Sequence, residues 1–291
     1  MTPARAAIAA GQPGIITPVG WLRIGLRFTA LVVTLLACIP LHYLYRIFAY
    51  GSPFPMLWLR MATRICGARV QRIGTALRRD VVFLANHVSW LDILAIAGAS
   101  GTAFVAKAET AGIPLVGWLA RLNRTVFVQR EARMDVAEQI NAVREAMADN
   151  WSVTIFPEGT TTDGRSLLPF KSSMLKILEP PPPGVMVQPV LIDYGAVAEE
   201  IGWVGDETGL DNGKRILARR GSFAVKLHFL EPFAPADNPG RKAIAARARA
   251  EIEAELVATL GGPLRPFAHA VTPVRYSPAS GQTSPVDSQA T

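Results

Sequence analysis

The chain has 291 residues, enough for one large α/β domain with appendages and short for two full domains. Half of its residues are hydrophobic and the mean hydropathy is +0.24, more apolar than a soluble enzyme needs, so part of its surface is expected to meet lipid. The net charge of +7 suits anionic headgroups or an acidic carrier. With no helix-turn-helix, zinc-finger or RNP-like signature beside it, nucleic acid is not an expected partner.

Residues 1–20 read as a flexible N-terminus and 21–66 as a membrane-associated helical segment. Within the latter, FTALVVTLLACIPLHYLY (Phe28 to Tyr45) carries no Asp, Glu, Lys or Arg and is close to the length that crosses a bilayer core. Pro40, His42 and the two tyrosines make its second half less lipid-like, which leaves open a helix or helix pair lying in the interface; a buried core helix is a third reading. The apolar run starts late and no small-residue cleavage site follows, so a secretory signal is not expected. Arg46, Arg60, Arg64, Arg69, Arg72, Arg78 and Arg79 follow it, which by the positive-inside rule places the rest of the chain on the cytoplasmic side of the inner membrane. Cys38 and Cys66 form no disulfide framework. His42, His87, His228 and His269 are too dispersed for metal-ligand spacing, so neither metal nor cofactor is expected.

From about residue 80, short β-prone runs alternate with helical ones, the pattern of an α/β domain. Strands are expected at Val81 to Ala85, Thr102 to Ala106, Thr125 to Gln129, Ser152 to Phe156, Val185 to Ile192 and Phe223 to Leu230. Val136, Ile140, Val143 and Met147 recur at helical spacing and read as a core stripe. Pro180 to Pro183 read as a stiff connector. A helix rich in Ala, Arg and Glu is expected from about Arg241 to Leu260, stopped by Gly261 and Gly262. The domain therefore spans 67–262, and 263–291, rich in Pro, Ser, Ala and Gln, reads as a disordered tail. GLDNGKR near residue 209 is no P-loop: its glycine spacing is wrong, and Arg215 stands where Ser or Thr should coordinate magnesium.

The stretch LANHVSWLDILAI, Leu84 to Ile96, carries the chemistry. An apolar strand ends in Asn86 and His87, and a helix is expected to begin near Ser89 as its cap, with Asp92 in the first turn. That placement brings a carboxylate within reach of the imidazole: Asp92 would hold one ring nitrogen protonated and leave the other to accept a proton from an attacking hydroxyl. The bare H-x-x-x-x-D pattern is common by chance. It gains weight from VTIFPEGTTTDG, Val153 to Gly164, at the end of a second expected strand.

The two stretches resemble the signature blocks of the glycerolipid acyltransferase family, the 1-acylglycerol-phosphate and lysophospholipid acyltransferases. NHVSWLD is similar to that family's N-H-x-S-x-x-D block. FVAKAE, with Lys107 and Glu109, VFVQR with Arg130, FPEG (Phe156 to Gly159) and VQPVLI around Pro189 follow in the family's order over about residues 80 to 195. The resemblance implies a mixed sheet flanked by helices, His87 as base and Asp92 as its supporting acid. It also implies an acceptor site holding Lys107, Arg130, Glu158, Gly159, Thr160 and Thr161. Acyl-CoA or acyl carrier protein would be the donor, and a lysolipid in the bilayer the acceptor. No covalent acyl-enzyme is expected, because no G-x-S-x-G elbow occurs and neither cysteine has a nearby His in sequence.

One departure bears on the acceptor. Many members that acylate lysophosphatidic acid carry Arg directly after FPEGT, whereas this chain has Thr161, so either Arg165, Lys107 or Lys171 stands in as a substitute cation or the acceptor presents no terminal phosphate monoester. The string FPEGTTTDGRSLLPFKSSML is closer to the branch that acylates other lysolipids, including bacterial lyso-ornithine lipid. Phosphatidic acid synthesis is the alternative. A thioesterase or lipid hydrolase, in which the same dyad activates water, and a non-catalytic lipid-binding protein stay open behind it.

Overall fold

A computed structural model describes residues 2–49, 51–107, 112, 117, 125–128 and 152–269. Its strands are β1 (Ala68–Ile73), β2 (Val81–Ala85), β3 (Ala103–Lys107), β4 (Val126–Val128), β5 (Ser152–Ile155), β6 (Met186–Asp193) and β7 (Phe223–Phe229). They form one sheet in the order β1-β7-β6-β2-β5-β3-β4. β2 pairs in parallel with β5 on one side and β6 on the other, and β3 continues parallel to β5 and β4. β7 is antiparallel to β6 and carries β1 parallel to itself, so the sheet is mixed, with two strands at one edge running against the rest.

All five side chains of β2 are buried because both faces of the sheet are covered. Phe83 and Ala85 face a cluster shared with Leu91, Ala95 and Ile96, while Val82 and Leu84 face another with Leu175, Ile244 and Ala248. The strands expected from sequence agree with six of those observed to within one residue at each end. The seventh, β1, is an edge strand whose Arg69, Gln71 and Arg72 are exposed, a charged edge that resists pairing with other chains. Its arginines obscure the strand pattern in the sequence.

Among the described residues the α-helices are α1 (Pro3–Ala9), α2 (Pro18–Phe48), α3 (Phe54–Ile65), α4 (Leu91–Ser100), α5 (Ala198–Ile201), α6 (Gly209–Ala218) and α7 (Gly240–Leu260). GLDNGKR opens α6, where the Thr208 hydroxyl accepts the Asp211 N–H at 3.1 Å as an ordinary cap. α7 ends at Gly261, whose φ of +66° is the left-handed cap that favours glycine.

Two expectations at the chain ends need correction. Residues 2–17 are not a loose leader: Thr2 caps α1, and Arg5 is buried, bonding the Gly202 carbonyl at 2.5 Å and pairing with Glu207 at 3.3 Å. A guanidinium taken out of water needs such partners, which fixes α1 on the domain. Residues 263–269 are not all solvated tail either, since Leu264 packs on Leu167, Leu191, Ile252 and Leu256 and the Arg265 N–H donates to the Arg165 carbonyl at 3.1 Å. The rest of the expected tail, and the stripe from Val136 to Met147, lie outside the described residues.

α2 starts at Pro18, with the Thr17 hydroxyl accepting the Gly20 N–H at 3.1 Å. Arg23 and Arg27 then reach the carbonyls at the end of α6, including Leu217 at 2.9 Å and Ala218 at 3.3 Å, orphan acceptors that a helix C-terminus leaves for cations. Beyond them the helix is apolar, with a mean hydropathy of 2.1 over its most apolar window, and Phe28, Val33, Leu36, Tyr43 and Phe48 are exposed. α3 packs on both α2 and α4, and the Trp58 Nε1–H donates to the Leu31 carbonyl at 3.4 Å.

Candidate active site

β6, β2 and β5 are neighbours and parallel, so the loops leaving their carboxyl ends meet at one rim, where open α/β sheets place their ligands. The loop after β2 carries Asn86 and His87, the loop after β5 carries Pro157, Glu158 and Gly159, and Tyr194 follows β6. Segments far apart in the chain are thereby brought together.

His87 Nδ1 lies 2.8 Å from Asp92 Oδ2, with the imidazole side chain 18% exposed and the carboxylate fully buried. The same Oδ2 accepts the backbone N–H of Val88 at 2.6 Å and of Ser89 at 2.9 Å, and Oδ1 accepts the Tyr194 hydroxyl at 2.6 Å. Asp92 thus satisfies the amides of the loop leading into α4 and orients His87 with one side chain. The Ser89 cap expected from sequence is not formed in that way. Trp90 occupies the N-cap position with no side-chain capping bond, its indole N–H going to Asn212 Oδ1 at 3.0 Å, and Ser89 Oγ accepts the Leu91 N–H at 3.4 Å while the Asp92 carboxylate reaches back to the Val88 and Ser89 N–H groups. The ring of His87 stacks on Phe156, centroids 4.2 Å apart, and Phe156 stacks in turn on Phe104.

The loop after β5 grips the backbone of His87 on both sides. Glu158 Oε1 accepts the His87 N–H at 2.8 Å, while the Thr162 N–H and hydroxyl donate to the His87 carbonyl at 2.8 and 3.2 Å. The second carboxylate oxygen of Glu158 accepts the Leu168 N–H at 2.8 Å, closing the loop on itself. Burial pushes the Glu158 carboxyl up to about 8, against the pull of those two amides. With Glu158 only 1% exposed and both oxygens held by backbone, its geometry is that of a brace for His87 rather than of an open binding group.

Gly159 has φ of +72°, the left-handed region that favours glycine, and Lys171 Nζ, the end of a flexible side chain, lies 2.9 Å from where a Cβ would stand. Thr160 and Thr161 are half-buried at the rim, and the Thr161 hydroxyl donates to the Trp203 carbonyl. Arg165, one of the substitute cations, pairs with Glu199 at 3.3 Å. Lys107 closes β3, whereas Glu109 and Arg130 lie outside the described residues.

Tyr194, Thr162 and Trp203 were not singled out for this site by the sequence pattern. The Trp203 N–H holds the Val88 carbonyl at 3.0 Å. A signal for Tyr194 is present, since it directly follows β6, but nothing local to it points to a partner more than a hundred positions earlier. Asn86 explains its placement: its side chain exchanges two hydrogen bonds with the Ile192 backbone, at 2.7 and 3.1 Å, extending the β2–β6 ladder past Ala85 and Val190.

A buried carboxylate holding one nitrogen of a part-exposed imidazole, at the carboxyl rim of a mixed sheet, is a site able to take a proton from a hydroxyl. The profile of the Acyltransferase family matches residues 68–193, from β1 to the end of β6. The chain is 31% identical to the lyso-ornithine lipid O-acyltransferase of Brucella abortus over 84% of this chain and 97% of that protein. It is 37% identical to the enzyme of the same name from Rhizobium meliloti over 62% of this chain and 64% of that one. It is also 36% identical to the 1-acyl-sn-glycerol-3-phosphate acyltransferase of Neisseria gonorrhoeae, over 38% and 43%. Its fold is similar to that of the crystal structure of the 1-acyl-sn-glycerophosphate acyltransferase PlsC from Thermotoga maritima, with a TM-score of 0.60 and 22% identity over 81% of this chain and 95% of that one. The chain belongs to the PlsC-like glycerolipid acyltransferase family, and it is a lysolipid acyltransferase.

Proposed function

We propose that this chain esterifies the free hydroxyl of lyso-ornithine lipid, taking the acyl group from a thioester on acyl carrier protein or CoA. The chemistry is carried by one observation, the 2.8 Å bond from His87 Nδ1 to Asp92, which leaves Nε2 of a part-exposed ring for substrate. Nε2 takes the proton as the hydroxyl oxygen attacks the thioester carbonyl. The tetrahedral intermediate then collapses, the C–S bond breaks, and the leaving thiolate receives that proton. No protein nucleophile is needed. Gly159, Thr160 and Thr161 face the acceptor, Lys107 and Arg130 supply charge for an anionic group, and Glu158 acts through His87 by holding its backbone.

The acceptor rests on the match to the B. abortus protein over nearly its whole length, and on Thr161, whose hydroxyl is already engaged where phosphate-acceptor members carry Arg. The match to the N. gonorrhoeae protein favours the second reading, acylation of 1-acyl-sn-glycerol 3-phosphate. The site is proposed to work at the cytoplasmic face of the inner membrane, with α2 lying in the headgroup region. Support for this is that α3 returns from α2 to pack on α4, so the chain enters and leaves the apolar helix on one side of the domain.

Thiol release by the purified protein from acyl carrier protein or acyl-CoA, measured with lyso-ornithine lipid, with lysophosphatidic acid and with neither, tests these assignments. Release only with an acceptor, and at least as fast with lyso-ornithine lipid, is expected. A strong preference for lysophosphatidic acid would move the chain to the second reading. Release without acceptor would make it a hydrolase, and no release under any condition a binding protein.

A further inference from the structure

We infer that Tyr194 is a positioning residue that sets the proton affinity of His87 by drawing charge from Asp92. The inference rests on His87 being the base. Asp92 is fully buried and makes four short hydrogen bonds: Oδ2 holds the imidazole and two backbone amides, and Oδ1 is left to Tyr194 at 2.6 Å. Of these donors, only the imidazole and the phenol can be altered without breaking the start of α4. The Tyr194 ring is itself 3% exposed, packed among the core residues that include Phe223, so its hydroxyl cannot turn to water.

A carboxylate sharing its charge with a phenol O–H holds an imidazolium less strongly than one that does not. Removing the tyrosine O–H would thus strengthen the hold of Asp92 on a protonated ring, and the effect would be read in the acid limb of turnover. Burial and the neighbouring Asp92 raise the phenol well above its ordinary range, so it stays a donor throughout. The other ionisable groups around the pair come from two directions. Glu158 faces it from the loop after β5, with Arg249 of α7 behind, and Cys66 approaches Tyr194 from the end of α3. Burial pushes the Cys66 thiol up to about 12, so it brings no charge, and Glu158 is common to wild type and variant.

Asn86 clasps β6 at Ile192, two residues before Tyr194, so the same block that carries His87 also fixes the residue that tunes it. A buried tyrosine present only for packing would leave the pH dependence of turnover alone when its hydroxyl is removed.

The test is the pH profile of kcat/KM for wild type, Tyr194→Phe, and protein carrying 3,5-difluorotyrosine at 194, with His87→Ala as control. In Tyr194→Phe the acid limb should move up by about one pH unit, giving roughly tenfold lower activity on the acid side with recovery at alkaline pH. The fluorinated phenol, a stronger donor, should move the limb down. Coincident limbs in all three would overturn the role of Tyr194 while leaving the base intact. Activity retained in His87→Ala would instead overturn the base reading itself. Thermal unfolding of each protein separates loss of fold from either result.

Discussion

Around His87 the backbone is held almost atom by atom: His87 N–H by Glu158, its carbonyl by Thr162, the Val88 and Ser89 N–H groups by Asp92, and the Val88 carbonyl by Trp203. Along α2 the arrangement is the opposite. Arg23 and Arg27 pin its first third to α6, and beyond them the helix carries exposed apolar side chains such as Leu36, at 62%, and Phe48, at 81%. The first region can hold a proton-transfer geometry because its backbone polar groups are tied to protein partners. The second leaves its apolar area exposed because none of the described residues covers it.

Substitutions in the two regions should therefore separate chemistry from the proposed membrane attachment. His87→Ala is expected to lower kcat by about three orders of magnitude, and Asp92→Asn by about two, with vesicle flotation unchanged in both. Equal loss of turnover and flotation would mean that the two regions are not independent.

Leu36→Asp changes only the exposed side of α2. It should weaken binding to anionic vesicles by about tenfold while leaving turnover of detergent-dispersed lysolipid near wild type. Loss of both activities would place Leu36 in a packing role instead.

Glu158→Gln is expected to show its effect in stability, with a pH signature. The Glu158 carboxyl titrates near 8 in the folded chain and near 4.5 when unfolded, so the native state binds the extra proton. That contribution to stability is complete below about 4.5 and is lost as the pH rises through 8. Unfolding midpoints of the wild type should fall across this window, and Glu158→Gln should flatten the slope. An unchanged slope would assign the pH dependence to another group.

Much of this was legible in the chain. Both-face burial makes the central strands continuous apolar runs, so β2, β5 and β6 stand out, and Asn86, His87 and Asp92 lie close enough for local geometry to join them. The edge strand β1 was not legible, because its exposed arginines read equally well as the basic flank of a membrane segment. The N-terminal helix was hidden for a related reason: PARAAIA is short and weakly patterned, and its Arg5 becomes structural only when Glu207 is brought beside it. Glu158 shows the limit most clearly. The motif marks the residue, and its contacts with the backbone of His87 and of Leu168 give it the geometry of a brace.

The sequence by itself placed His87 within reach of Asp92 and set the alternation of strand and helix, because these depend on near neighbours or on periodicity, and its resemblance to a known family pointed to acyl transfer. Tertiary structure alone decided what surrounds the dyad. Placing β6 and β5 on either side of β2 carries Tyr194 to one carboxylate oxygen of Asp92 and Glu158 to the backbone of its partner. Such contacts follow from strand order, which no local pattern encodes.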